Sequence, residues 1–201
     1  MLEQIKNEME ALSPLVLEET DYFARGYHLN IELSSDRIAA AAELLDKAGF
    51  FLEAITGVDW LAKFENDKKA AAAAAAKKAK EAAAAAAKVA EEAGEEPPVE
   101  TAPAEPEPQS EPEPEEEPEV PLEVVYDFNN FKQLCRVTLR CKTPRNTPEV
   151  PSITDIIPGA NWHERETHDF FGIVFSGHPD LSPLLLPEDA DFHPLLKDFK
   201  P

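Results

Sequence analysis

Apolar residues recur along the first 60 positions with two different periods. Leu2, Ile5, Met9 and Leu12 fall three and four apart, which predicts a short amphipathic helix. Leu15-Val-Leu-Glu-Glu reads as a strand, and Tyr27-His-Leu-Asn-Ile-Glu-Leu33 alternates as a half-buried strand should. Ser34 or Ser35 can cap a helix that runs through Leu44 and Leu45 and stops at Gly49. Phe50-Phe-Leu-Glu-Ala-Ile-Thr then returns to strand and leads into Gly57-Val-Asp-Trp60. Much further on, Leu122-Glu-Val-Val-Tyr-Asp-Phe128 and Leu134-Cys-Arg-Val-Thr-Leu-Arg-Cys141 give two more strands.

Between these halves the pattern disappears. Asp67 to Ala93 holds sixteen alanines broken by lysines and a few acids, with Val89 as its one large apolar residue. Alanine favours helix strongly, yet this helix would own no stripe to bury. Glu91 to Glu119 follows with thirteen glutamates, many prolines and no lysine or arginine, which predicts an extended, disordered segment. Residues 66–120 therefore read as a low-complexity insertion in a surface loop, a kind of expansion that costs little loop-closure entropy. A tether or docking arm is the functional alternative. The chain divides into 1–65 and 121–201, two halves of one domain, with the insertion between strands that a hairpin loop would normally join. The order α-β-β-α-β-(insert)-β-β predicts an α+β fold, a mixed or antiparallel sheet with helices on one face.

Charge sharpens the division. The net charge of -21 argues against a polyanionic partner, but the Glu91–Glu119 span supplies -13 of it. Cys135 and Cys141 share one strand face about 20 Å apart, too far for a disulfide, and are expected to be reduced structural thiols of a cytoplasmic protein. The first ten residues have neither a basic start nor an apolar core, so no signal peptide is expected there. No run approaches the ~18 apolar residues needed to cross a bilayer, so membrane association is expected only through a partner.

Candidate chemistry gathers in Trp162-His-Glu-Arg-Glu-Thr-His-Asp-Phe-Phe-Gly172. Asn161 is placed to cap a helix with Glu164 in the capping-box position, and Gly172 is placed to end it. His163 and His168 are five apart, about 140° round a helix, so they cannot converge on one ion from one side. Glu164 with His168 remains as a pair, but two ligands make a poor metal site. A stand-alone metal-dependent enzyme would have to use His163, Glu164, Glu166, His168 and Asp169. The alternative is a short charged helix with charges facing outward on more than one side and Trp162, Phe170 and Phe171 as apolar anchors. Beyond it, five prolines between Pro179 and Pro201 forbid a long helix. This extended, proline-rich tail must fold back on its domain or lie along another protein, and the second is expected.

These residues carry a resemblance. Glu-Arg-Glu-x-x-Asp-x-Phe-Gly-Ile from Glu164, Gly-His-Pro-Asp-Leu from Gly177, Leu-Pro-Glu-Asp from Leu186 and His-Pro-Leu-x-Lys-Asp from His193 resemble the 30-kilodalton subunit family of NADH:quinone oxidoreductase (respiratory complex I), called the C subunit in bacteria. The likeness continues through Pro151 to Trp162, Leu122 to Tyr126 and Thr56 to Trp60, so it covers most of the chain from about residue 50 onward apart from the insertion. It implies a non-catalytic subunit of the peripheral arm, on the cytoplasmic side of a cell membrane. Such a subunit has no catalytic site, metal or cofactor of its own, while FMN, iron–sulfur clusters and quinone belong to partner subunits. The implied partners are the large quinone-site subunit (the D subunit) and neighbouring iron–sulfur subunits. The signature residues implied as scaffold and contact positions are Glu164, Arg165, Glu166, Asp169, Gly172, Gly177, His178, Pro179, Asp180, Pro187, Glu188, Asp189, His193, Pro194, Lys197 and Asp198. Ser182-Pro183 stand where the family usually has two arginines, Ala190 where tryptophan is common, and Leu196 where arginine is usual. A homologous subunit of an energy-converting hydrogenase, or of another complex I-like dehydrogenase, is the alternative.

Overall fold

A computed structural model of the chain describes residues 2–74, 77 and 120–200. One compact unit comprises Met1–Ala62 with Glu119–Pro201, and a second covers Lys63–Pro118. In chain order the first unit contains α1 (Leu2–Glu10), β1 (Val16–Glu19), α2 (Tyr22–Arg25), β2 (Leu29–Leu33), α3 (Ile38–Lys47) and β3 (Phe51–Asp59). Residues 61–74 are helical (α4). Then come β4 (Leu122–Asn130), β5 (Cys135–Thr143), β6 (Glu149–Pro151), α5 (Ala160–Phe171) and β7 (Val174–Ser176).

The five main strands form a mixed sheet in the order β1-β2-β5-β4-β3. All neighbours are antiparallel except β2 and β5, which run parallel. Period-2 alternation decides which side is buried. Leu29, Ile31 and Leu33 of β2 point the same way as Val137, Leu139 and Cys141 of β5 and Val124, Tyr126 and Phe128 of β4, and all are buried. Ile5 and Met9 of α1, Ile38, Ala41, Ala42 and Leu45 of α3, and Ala160 of α5 join them in one core. Both cysteines are free and buried, and burial pushes the Cys141 thiol up to about 12. The opposite side of the sheet is polar and paired within itself. Arg136 meets Glu53, Arg140 meets Glu123 at 3.3 Å, Lys142 meets Glu32 at 2.9 Å and Thr138 donates to Asp127.

Strands β3 and β4 pair from Phe51↔Asn129 to Asp59↔Leu122, so the low-complexity stretch does replace a hairpin loop. The glutamate–proline segment and most of the alanine run lie outside the described residues. Ser34 precedes a 3-10 turn over Ser35–Arg37 rather than the α-helix itself, and its hydroxyl makes no capping bond to the backbone.

Candidate functional site

Helix α5 lies against the outer edge strand β3, where the Thr167 hydroxyl donates to the Ile55 carbonyl at 3.4 Å. Gly57 makes this approach feasible, because a Cβ there would sit 2.4 Å from the Phe171 ring. The helix starts differently from the expectation. Its N-cap is Gly159, and Asn161 is already inside it. The preceding turn explains this: the Ala160 and Asn161 amides donate to the Ile157 and Pro158 carbonyls at 2.9 and 3.3 Å. The first helical N–H groups thus find backbone partners, and no Asn cap is needed. Gly172 ends the helix at φ +72 with its N–H on the His168 carbonyl, where a larger residue would be strained.

The charges of α5 do not all face outward, which corrects the sequence expectation. Glu164 is fully buried, and Thr167 and Asp169 are nearly so. Glu164 Oε1 accepts from the Ile153 amide at 2.8 Å and Oε2 from the Ser152 hydroxyl at 2.6 Å. Burial pushes this carboxyl above its usual range, while the two hydrogen bonds pull the other way. Trp162, expected as an anchor, is 66% exposed. Removing three polar groups from water requires partners for each, and the rest of the chain supplies them.

Glu164 is met by the preceding turn and Thr167 by β3, while Asp169 is met by the tail, which folds back on its own domain instead of standing away for another protein. Residues 177–200 contain no helix or strand. They are held by Asp169, whose Oδ2 accepts from three successive amides, Leu184, Leu185 and Leu186, at 2.9, 2.7 and 3.3 Å. Consecutive N–H groups aimed at one oxygen form an anion-binding nest. Burial alone would raise the Asp169 carboxyl, but these amides hold it below its usual range. Arg165 donates to the Ser182 and Pro183 carbonyls and the Ser182 hydroxyl. His193 Nδ1 donates to the Asp169 carbonyl at 2.8 Å, and its ring lies against Gly172, where a Cβ would meet it at 2.7 Å. His178, its side chain fully buried, accepts the Asp180 amide on Nδ1 and so donates from Nε2 to the Asn161 carbonyl. Asp180 in turn accepts the Ser182 amide, which lowers its carboxyl.

A second clamp closes the tail's far end. The Asp59 side chain at the end of β3 is fully buried and accepts Arg145 at 2.6 Å and the Leu61 amide at 2.9 Å on Oδ1. Its Oδ2 accepts the Lys197 amide at 2.8 Å, and the second Arg145 nitrogen reaches Asp198 at 2.6 Å. Burial would raise Asp59, but Arg145 and the two amides hold it down. Asp59, Arg145 and Ser152 were not singled out from sequence. A carboxylate closing an apolar strand, Ile55-Thr-Gly-Val-Asp59, was the available signal for the first.

The remaining signature residues lie outside these clamps. Gly177 turns the chain after β7 at φ +86, and Pro187 accepts the Ala190 amide to shape a turn. Pro194 is half-buried, while Pro179, Glu188 and Asp189 are exposed. Glu166 is exposed beside His163 and Phe170 in a groove of about 270 Å³ between α5 and β3. His168 Nδ1 donates to the Ile173 carbonyl at 2.9 Å. Among the described residues, no group of three or more His, Cys, Asp or Glu could hold a metal ion.

The clamped helix and tail lie within a region that a known family shares. The family described as "Respiratory-chain NADH dehydrogenase, 30 Kd subunit" matches residues 75–201, more than half of the chain. The chain belongs to this 30-kDa subunit family. Similar curated relatives include the C subunit of NADH-quinone oxidoreductase from Roseiflexus castenholzii, 53% identical over 76 residues, which are 38% of this chain and 44% of the relative. Its counterpart from Xanthobacter autotrophicus is 51% identical over 77 residues, 38% of this chain and 36% of the relative. The aligned stretches thus span less than half the length of these family members. A trypsin-resistant fragment of Nqo5 has a similar structure, with a TM-score of 0.52 and 26% identity over 90% of this chain and 98% of the fragment. A chain of an archaeal membrane-bound sulfane sulfur reductase shares the fold, with a TM-score of 0.59 at 20% identity, covering 98% of this chain and 85% of that one.

Proposed function

We propose that this chain is a non-catalytic structural subunit of the peripheral arm of a proton-translocating NADH:quinone oxidoreductase. In that role it scaffolds the large quinone-site subunit and neighbouring iron–sulfur subunits on the cytoplasmic side of the cell membrane. FMN, iron–sulfur clusters and quinone reside in the partners, and this chain holds none of them. One observation carries the reading: the buried carboxylates, two of them signature residues, are spent on building a shape. Glu164, Asp169 and Asp59 are saturated by amides, a hydroxyl and Arg145, which fixes the tail path and leaves Glu166, Glu188, Asp189 and Trp162 on the surface. A saturated carboxylate cannot easily exchange a proton with a substrate, whereas a rigid polar surface suits contact with another protein. Among the described residues no helix is long and apolar enough to cross a membrane, and the proposed attachment is through the partners.

Glu166→Lys tests the contact role, because Glu166 is exposed and outside every clamp described above. In cells whose own copy is deleted, this variant is expected to leave the isolated chain's unfolding temperature unchanged and to reduce recovery of the assembled complex. Full assembly with the variant would remove Glu166 from the contact surface. A second reading, a homologous subunit of an energy-converting hydrogenase or other complex I-like dehydrogenase, is favoured by Ser182, Pro183 and Leu196 standing where the family usually has arginine.

A further inference from the structure

The end of the sheet remote from the tail carries an open aromatic groove of about 400 Å³, between α2 and the β4–β5 turn. Its walls include Tyr22, Phe23, His28, Phe131, Leu134 and Arg136. Phe23 is 97%, Leu134 78% and Phe131 67% exposed, a concentration of bare apolar surface seldom left to water. The groove is also built rather than loose. Asp21 caps α2 through the Phe23 amide at 3.0 Å, Gly26 closes it at φ +82, and Tyr22 stacks on His28 with ring centres 4.8 Å apart. The β4–β5 turn holds Leu134 at φ +50, a backbone conformation that a leucine adopts only under constraint. Asp59 and the clamped tail lie at the other end of β3, about 26 Å away at 3.3 Å per residue.

The charge around the groove selects its occupant. In a chain of net charge -21, residues 20–28 and 129–136 contribute Arg25, Lys132 and Arg136 against the single carboxylate of Asp21. Asp21 is occupied in capping α2, and Glu53 reaches across to Arg136 and Asn129. Arg25 and Lys132 are exposed and have no ion pair among the described residues. An apolar slot whose two walling elements, α2 and the β4–β5 turn, carry the exposed cations Arg25 and Lys132 fits an acidic polypeptide that inserts one or two large apolar side chains.

We infer that this groove is a second docking surface, which receives an acidic segment of a partner protein anchored by apolar side chains. The inference rests on the subunit reading above. It adds a contact at the opposite end of the sheet from the signature helix, so the chain would bridge two bodies rather than cap one.

The test places a photo-crosslinker in the groove, as Phe131→p-benzoylphenylalanine, in the full chain expressed in its own membranes. After illumination and purification in mild detergent, adducts are mapped by mass spectrometry. The expected adduct joins residue 131 to a stretch of another subunit in which acids outnumber bases. Adding Arg25→Glu and Lys132→Glu should lower adduct yield per recovered complex by about fivefold or more. An adduct to residues 91–119 of the same chain, to a second copy, or to a basic or uncharged stretch would overturn the inference. So would no adduct while companion subunits still co-purify. Recovery of the chain without any companion would instead sink the subunit reading, and this inference with it.

Discussion

The Leu185 amide stands 2.7 Å from Asp169 Oδ2, the shortest of three backbone bonds that tie a segment sixteen residues downstream to the last turn of α5. A charged helix and a proline-rich tail, each unable to stand alone, thereby become one surface. The carboxylate satisfies amides that a tail without helix or strand would otherwise leave unpaired.

Asp169→Ala is expected to destabilise the isolated chain by about 1–3 kcal/mol, because three amides lose a charged acceptor. Asp169→Asn should cost less, since one amide oxygen can still accept. The pH dependence has a definite sign. The folded carboxyl sits below its ordinary value of 3.8, so its contribution is fully present above that pH and fades as pH falls through the lower folded value. Thermal unfolding between pH 3 and 7 checks this: a difference between wild type and Asp169→Ala that does not shrink toward the acid end would contradict it.

Glu164 should behave in the opposite direction. Burial holds its folded carboxyl above the ordinary value of 4.5, so its ionisation costs stability as pH rises from 4.5 through the folded value. Glu164→Gln keeps an acceptor for the Ile153 amide and places a donor near the Ser152 hydroxyl. The variant is expected to unfold no earlier than wild type at neutral pH, with any advantage vanishing near pH 4. Early unfolding at neutral pH would show that the ionised carboxylate is the stabilising form.

Arg145 separates a buried ion pair from a surface one. Its partner Asp59 has a fully buried side chain, whereas the Asp198 side chain is 58% exposed. Arg145→Ala leaves the Asp59 charge buried with only amides, at an expected cost on the order of 3 kcal/mol. Asp198→Ala should cost less than about 1 kcal/mol. Equal effects in chemical denaturation would mean that the clamp is solvated.

The β3–β4 ladder, past a bulge between Leu52 and Ala54, runs on to Asp59↔Leu122, so the strands can close without the long connection. Replacing residues 67–119 with a short Gly/Asn turn is expected to leave folding and complex assembly intact. Loss of the complex with a normally folded variant would show that the insertion docks to a partner.

The sheet was legible in the sequence because its signal is local. The alternation of Leu29, Ile31 and Leu33 names a buried face directly, and the paired runs 122–128 and 134–141 show their strands through β-branched and apolar content. Helix α2 was missed, being four residues long with too little periodicity to register. The parallel pairing of β6 with β7 was missed because it joins residues about 25 apart through backbone bonds that no side-chain pattern encodes. The tail was misjudged for the same reason. Leu184, Leu185 and Leu186 advertise apolar contact, but the atoms that hold them are their amides. At α5 the inward turn of Glu164 was hidden because its partners, the Ile153 amide and Ser152, lie in a preceding turn that looks like linker.

The most direct measurement is affinity purification of this chain from its own membranes in mild detergent, with companions identified by mass spectrometry. Recovery with the large quinone-site subunit, iron–sulfur subunits and an NADH-binding flavoprotein is expected. A chain recovered alone, or with a nickel hydrogenase subunit and no flavoprotein, would contradict it.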